Sequence, residues 1–236
     1  MKGGRLSTAA LAYISGTSIL AITVAAIRWR SETSGNLVLF IVVTGLGMLA
    51  HAYPVQGFRH QAYQVTLPFI VMAAATLSAP QLVAFIVLIH VAEQARLRRR
   101  LYIQWFNLCD YYLSAQAAAE VYHRATLLLP HDALGHIAAA LSAGCAFVLL
   151  NRVLLSGALW LARGLSPLAS GLFQSELLAA DLIITWVAGP MLVLTLQEGP
   201  WMVLVVAGPL LLARPALSAL LARRGAGVRP AAARAA

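Results

Sequence analysis

The sequence predicts an all-α fold: a polytopic transmembrane helical bundle of about eight spans, with both termini in the cytoplasm. Hydrophobic residues make up 61% of the 236 residues and charged residues only 11%, a balance unlike that of soluble domains. Apolar runs long enough to cross a bilayer recur along the chain. The basic residues lie beside these runs, as the positive-inside bias of membrane proteins predicts.

Eight apolar runs are predicted to be helices, at about 20 residues for a full membrane span. The third and fourth runs are separated only by a short turn around Ser78 and Pro80. They are therefore either two full spans or a broken, re-entrant pair, and the number of spans is six to eight. The runs are Leu6–Ile27, Asn36–Tyr53, Val65–Leu77, Ala79–Ala95, Trp105–Tyr122, Ala133–Ala162, Glu176–Leu196 and Gly199–Leu221.

The orientation is predicted from the arginines that follow the fourth run. The segment Arg96–Arg100 holds four arginines in five positions, and such a block is difficult to translocate across a membrane. With this loop inside and eight spans, 14 of the 17 basic residues lie at or near the cytoplasmic face. The remaining three, on the outside, are Arg28, Arg30 and Arg124.

Two regions are expected: a transmembrane bundle over residues 1–222 and a basic, disordered cytoplasmic tail over residues 223–236. The net charge of +9 is interpreted as contact with anionic lipids of the inner leaflet, because the basic residues flank apolar runs. Nucleic acid is not an expected partner. The predicted location is the cytoplasmic (inner) membrane of a bacterium, crossed several times.

The fifth run carries polar residues on two opposite faces. Asn107, Asp110 and Ser114 share one face by the helical period, whereas Gln116 and Glu120 lie on the other. A helix that is polar on both sides cannot face lipid on either, so it is predicted to lie at the centre of the bundle.

A buried polar set is predicted around this helix. By depth in the bilayer, Asp110 is expected to pair with Arg152 on the sixth run, with Asp181 on the seventh at a similar level. One interpretation is a charged binding or coupling site; the other is a salt-bridge network that holds the bundle together. The candidate ligand-binding or buried polar residues are Asn107, Asp110, Gln116, Arg152 and Asp181.

A second set lies at the predicted outer end of the fifth and sixth runs. Glu120 and His123 share a helical face, and so do Asp132 and His136 after a short turn. Two carboxylates and two imidazoles suit a divalent metal such as zinc. The alternative is that all four are ordinary residues of the membrane–water boundary.

The other histidines, His51, His60 and His90, are each interpreted as a hydrogen-bonded polar residue rather than a ligand. No catalytic motif such as H-E-x-x-H or a P-loop lysine is present, so the chain is expected not to be an enzyme.

The segments Val187–Pro190 and Val206–Pro209 repeat Val-Ala-Gly-Pro. Each proline is predicted to kink its helix, either as plain bending or at a site between broken helices.

One part of the sequence resembles a known family. The segment Gln61–Val71, the later Tyr102–Asn107 and the helix end Glu120–His123 are similar to the membrane-embedded sensory region that precedes HD-GYP or diguanylate cyclase domains. The layout also resembles, more loosely, the S components of energy-coupling factor vitamin transporters. The resemblance covers about a third of the chain. Because no cytoplasmic catalytic domain is seen, it implies output through a partner protein.

The expected function is therefore an integral membrane sensory or small-molecule-binding module that acts through a protein partner. Two alternatives stay open. The first is a substrate-binding, S-component-like subunit of a membrane transporter. The second is a structural accessory subunit of a larger membrane complex.

Overall fold

A computed structural model of the chain describes residues 6–29, 35–53, 55–56, 62–63 and 65–212, and this part is almost entirely helical. Each predicted apolar run contains a helix within the described residues, and the seventh is divided in two. The elements are α1 (Thr8–Trp29), α2 (Leu37–Ala52), β1 (Val55–Gln56), β2 (Ala62–Tyr63), α3 (Leu67–Thr76), α4 (Ala79–Leu97), α5 (Leu101–Leu128), α6 (Ala133–Arg163), α7 (Ser175–Trp186), α8 (Ala188–Glu198) and α9 (Met202–Leu212). The two short strands pair antiparallel, with Val55 opposite Tyr63.

Side-chain caps fix where several helices begin. The Asn36 side chain accepts a hydrogen bond from the Leu39 backbone N–H at 3.0 Å, and this starts α2. Asp132 caps α6 in the same way at 2.7 Å from the Gly135 nitrogen. These bonds satisfy backbone donors that a first helical turn leaves without partners.

α3 is a half-length helix buried inside the bundle. Its ten residues rise about 15 Å, half the thickness of a hydrocarbon core. Phe69, Ile70 and Val71 are fully buried, and the helix contacts α2, α5, α6, α7 and α8. α3 is therefore too short to cross a bilayer by itself, and it packs inside the helical bundle.

The seventh run is interrupted at Val187, between α7 and α8. Pro190 lies in the first turn of α8, where a missing N–H leaves no helical bond unmade. Pro209, the proline of the second Val-Ala-Gly-Pro segment, stays inside α9. The first repeat breaks its helix, whereas the second does not within the described residues.

α5 lies among α1, α3, α4 and α6, in agreement with its two polar faces. Close packing of α2 on α4 depends on Gly47, where a Cβ atom would meet Phe85 at 2.7 Å. This approach brings His51, one turn after Gly47, opposite His90 of α4.

Among the described residues, three helical segments are long and apolar enough to cross a membrane: α1, α6 and the α7–α8 pair. α2 and α3 are apolar but shorter. Large apolar side chains such as Ile19, Ile22 and Trp29 are more than half exposed, as on a lipid-facing surface. The termini, the basic tail over residues 223–236 and the segment containing Arg59 and His60 lie outside the described residues.

Candidate site: a buried histidine–carboxylate cavity

The predicted pairing of Asp110 with Arg152 is wrong. Arg152 contacts the carboxylate of Asp181 and also donates to the Leu172 carbonyl. Asp110 instead accepts hydrogen bonds from Asn151 at 3.0 Å and Ser114 at 3.4 Å. Neighbouring side chains on a helix diverge by about 100°, so Asn151 faces α5 while Arg152 faces α7.

Three of the four residues proposed as outer metal ligands have polar groups engaged with other partners. Glu120 forms ion pairs of 2.6 Å with both Arg28 and Arg124. Asp132 is the N-cap of α6, and His136 contacts the Tyr122 hydroxyl at 2.9 Å. The structure does not bring Glu120, His123, Asp132 and His136 together as a group of metal ligands. Nearer partners engage the polar groups of three of them: Glu120, Asp132 and His136. Gln116 donates to the Tyr112 hydroxyl at 3.1 Å on the same side of α5.

The other polar face of α5 borders a cavity of about 130 Å³. A cavity of about 150 Å³ admits benzene, so a molecule of about six non-hydrogen atoms fits here. Residues of α2, α4, α5, α6 and the α4–α5 loop line it: His51, His90, Glu93, Arg99, Asn107, Asp110, Tyr111, Asn151 and Leu155.

Three potential metal ligands meet on one wall of this cavity. His51, His90 and Glu93 are buried, with exposed fractions of 3%, 1% and 5%. Their ligand atoms all lie within 4.8 Å of one another, and no other group of three potential ligands assembles among the residues that the structure describes. His90 and Glu93 are three apart on α4 and so share a face, while His51 reaches them from α2. We call this set the His–His–Glu triad.

The ring nitrogens show which atoms are free to bind a ligand. His90 Nδ1 lies 2.9 Å from the Ile86 carbonyl, which only accepts, so Nδ1 carries the proton and Nε2 a lone pair. His51 Nδ1 contacts the Thr66 hydroxyl at 3.2 Å. Both Nε2 atoms are buried without a hydrogen-bond partner, which is unusual for buried polar atoms; His51 Nε2 lies within ion-pair distance of the Glu93 carboxylate.

The Glu93 carboxylate is held in place by two neighbours. Its Oε1 lies 3.0 Å from an Arg99 nitrogen, and its Oε2 accepts from Gln104 at 3.1 Å. Oε2 also lies 3.6 Å from His51 Nε2. Arg99 reaches in from the α4–α5 loop with its side chain 40% exposed. The positive charge of Arg99 thereby balances the negative charge of the Glu93 carboxylate.

Aromatic packing orients both imidazoles. The Tyr111 ring meets His51 edge-on at 5.3 Å and His90 at 4.9 Å, measured between ring centroids. Phe147 of α6 packs edge-on against the Tyr111 ring, at 5.5 Å between ring centroids. Such packing keeps the two rings facing each other, at a centroid distance of 4.8 Å.

The sequence contains a signal for this triad that the reading of single histidines misses. His90 and Glu93 have the i, i+3 spacing of the Glu-x-x-His pairs, in the opposite order. His51 ends the second run at the same predicted side of the membrane at which the fourth run ends. Considering helix ends together, rather than each histidine alone, would have grouped all three.

Comparisons of the chain with protein-family models, curated proteins and solved structures find no match. Within its described residues the chain is helical apart from two short strands and is compatible with a membrane protein. It has a cavity lined by polar residues and three residues that can hold a metal ion.

Proposed function

We propose that this chain is a multi-pass sensory protein of the bacterial inner membrane that binds one divalent transition metal ion through the His–His–Glu triad. The observation that supports this best is the meeting of two buried imidazoles and a buried carboxylate within 4.8 Å. Two histidines and one glutamate are the protein ligands of several zinc sites that keep a fourth position open. Zinc is therefore the ion that fits best.

The distances require only a small adjustment. Zinc–ligand bonds of about 2.0–2.2 Å place tetrahedral ligands about 3.4 Å apart. The widest separation in the triad is 4.8 Å, so the side chains would close by little more than about 1 Å.

Outer contacts of the kind found around metal ligands support the proposal. A ligating imidazole usually donates its second N–H to a carbonyl or carboxylate, which fixes the ring. His90 makes this bond to Ile86 at 2.9 Å. Gln104 holds Glu93 and also donates to the His90 carbonyl at 2.9 Å, so one side chain ties the two α4 ligands together.

Arg99 links metal binding at the triad to the charge that the α4–α5 loop presents to a partner. Its guanidinium contacts Glu93, while its carbonyl accepts from Gln94 at 2.8 Å. A metal ion would share the charge of Glu93 and weaken this ion pair. The Arg96–Arg100 segment would then present one more free positive charge to a protein partner or to anionic lipids.

The membrane topology is part of the proposal. The three long apolar segments support a membrane protein, and the sequence distribution of arginines supports eight helical runs with both termini in the cytoplasm. In this orientation the triad lies in the inner half of the bundle. Ions would reach it from the cytoplasm past Arg99.

A second candidate function is favoured by the cavity itself. A polar space of about 130 Å³ beside the triad also fits the small-molecule-binding subunit of a transporter, the function of the S components that the sequence resembles. Co-purification with an ATPase module would favour this candidate. Isolation without one would favour the sensor.

Metal content tests the primary proposal. The protein should be purified without a histidine tag, incorporated into lipid nanodiscs and titrated with Zn²⁺ by calorimetry. We expect about one equivalent of zinc for the wild type, and an affinity reduced at least about tenfold in His51→Ala and Glu93→Gln. His123→Ala and His136→Ala are matched controls that should bind zinc normally.

Two results would overturn the proposal. The first is a wild-type protein that binds no stoichiometric metal. The second is zinc binding that survives in His51→Ala but is lost in the control variants. This result would place the metal site at the outer end of α5.

A further inference from the structure

Asp110 is a buried carboxylate whose described contacts are all neutral. It is 1% exposed, and its partners are the Asn151 amide and the Ser114 hydroxyl. Among the residues that the structure describes, no cationic side chain forms an ion pair with it. Burial without a cation makes the ionised form of this carboxyl costly, and the group borders the cavity. The position favours a ligand with a positive group.

The triad side of the cavity carries net positive charge once the metal of the proposed function is bound. A divalent ion and Arg99 together outweigh the single negative charge of Glu93. Positive charge then collects at the triad, while Asp110, elsewhere on the wall, can ionise against a positive group of a ligand. Opposite charges on the cavity wall attract the opposite ends of a dipole, so the cavity would orient a dipolar ligand.

The size and lining limit the ligand further. About 130 Å³ admits about six non-hydrogen atoms, which is the size of glycine or alanine. Asn107 adds an amide to the lining, and Leu155 adds an apolar surface. A larger side chain on the ligand would meet Leu155 and the Tyr111 ring.

We propose that the cavity binds a short α-amino acid as a zwitterion. Its carboxylate occupies the open coordination position of the metal beside Arg99, and its ammonium group donates to Asp110. This inference rests on the proposed metal site, and it makes the sensor one whose small ligand binds only to the metal-loaded protein.

Calorimetry with simple probes tests the inference. Zinc-loaded, full-length protein in nanodiscs is titrated with glycine, with acetate, which lacks the ammonium group, and with methylamine, which lacks the carboxylate. We expect glycine to bind at least about tenfold more tightly than either fragment, because a hydrogen bond between charged groups contributes this much. Without zinc, glycine binding should be lost.

Variants identify the end of the cavity that holds the ammonium group. Asp110→Asn should weaken glycine binding at least about tenfold while leaving acetate and zinc binding unchanged. Glu120→Gln, the same change outside the cavity, should leave glycine binding unaltered. If Asp110→Asn fails to fold, Leu155→Phe serves instead: it should fill the cavity and abolish glycine binding, but not zinc binding.

The outcomes separate this inference from the proposed function. If zinc binds and glycine binds no more tightly than acetate, the amino-acid site is wrong and the metal sensor stands. If glycine binding is equal in the wild type and Asp110→Asn, the assignment of Asp110 is wrong. If zinc does not bind, both proposals fail.

Discussion

Substitution of Gly47 should separate the two helices that carry the histidines. An alanine Cβ at this position would lie 2.7 Å from Phe85 Cε2 and 3.4 Å from Ile89 Cγ2, whereas carbon atoms prefer about 3.5–4.0 Å. Overpacking of this kind costs about 1–3 kcal/mol. Because Gly47→Ala also gains about 1 kcal/mol in helix propensity, the net effect is near zero to about 2 kcal/mol destabilising.

Gly45→Ala is the matched control in the same helix. A Cβ there meets nothing within 4 Å, so this variant should gain the propensity term alone. The two variants should therefore differ by about 1–3 kcal/mol, or about 2–12 °C in apparent Tm at about 2–4 °C per kcal/mol. Thermal unfolding in nanodiscs, followed by size-exclusion chromatography of the soluble fraction, measures the difference.

Zinc affinity gives a second measurement on the same pair. His51 follows Gly47 by one turn, so Gly47→Ala should shift His51 away from His90 and weaken zinc binding. Gly45→Ala should not. Equal Tm values and equal zinc affinities for the two variants would refute the reasoning that close α2–α4 packing assembles the triad.

Three further predictions concern topology, the inner ion pair and a helix cap. In a background without the native cysteines, a cysteine at Ser34 should react with an impermeant reagent in intact cells and one at Gly225 should not; the reverse pattern would overturn the orientation. Arg152→Ala and Asp181→Ala should each cost about 3–5 kcal/mol, and the double variant should cost clearly less than their sum. Additive losses in that cycle would show that the ion pair contributes nothing. Asp132→Ala should destabilise α6 by about 1 kcal/mol, and Asp132→Asn should keep most of this stability in thermal unfolding; equal losses would contradict the cap.

The helices could be predicted because each follows from local composition. The sixth run, predicted over Ala133–Ala162, is found as Ala133–Arg163, since an apolar run and an N-cap define it without reference to the rest of the chain. The break at Val187 could also be predicted, because the nearby proline has no backbone N–H and cannot donate the usual helical hydrogen bond. The burial of α3 could not be predicted, because it depends on neighbouring helices that the sequence does not identify.

The polar contacts were harder to predict. Depth along the membrane correctly placed Arg152 near Asp181, but it could not tell which way each side chain of α6 points. A rotation of one residue exchanges Asn151 for Arg152 as the partner of Asp110. The outer cluster failed for a related reason: shared helical faces do not exclude nearer partners, and Arg28 from α1 reaches Glu120 first.

By itself, the sequence determined the all-helical class, the positions of the apolar runs and the polar character of α5. These depend on hydrophobic periodicity and on local capping, which act over a few residues. Only the tertiary structure decided that His51 meets His90 and Glu93. That contact joins residues about forty positions apart, and it depends on the close approach of α2 to α4 at Gly47. Interhelical packing is set by the shapes of both surfaces together, and no single run carries that information.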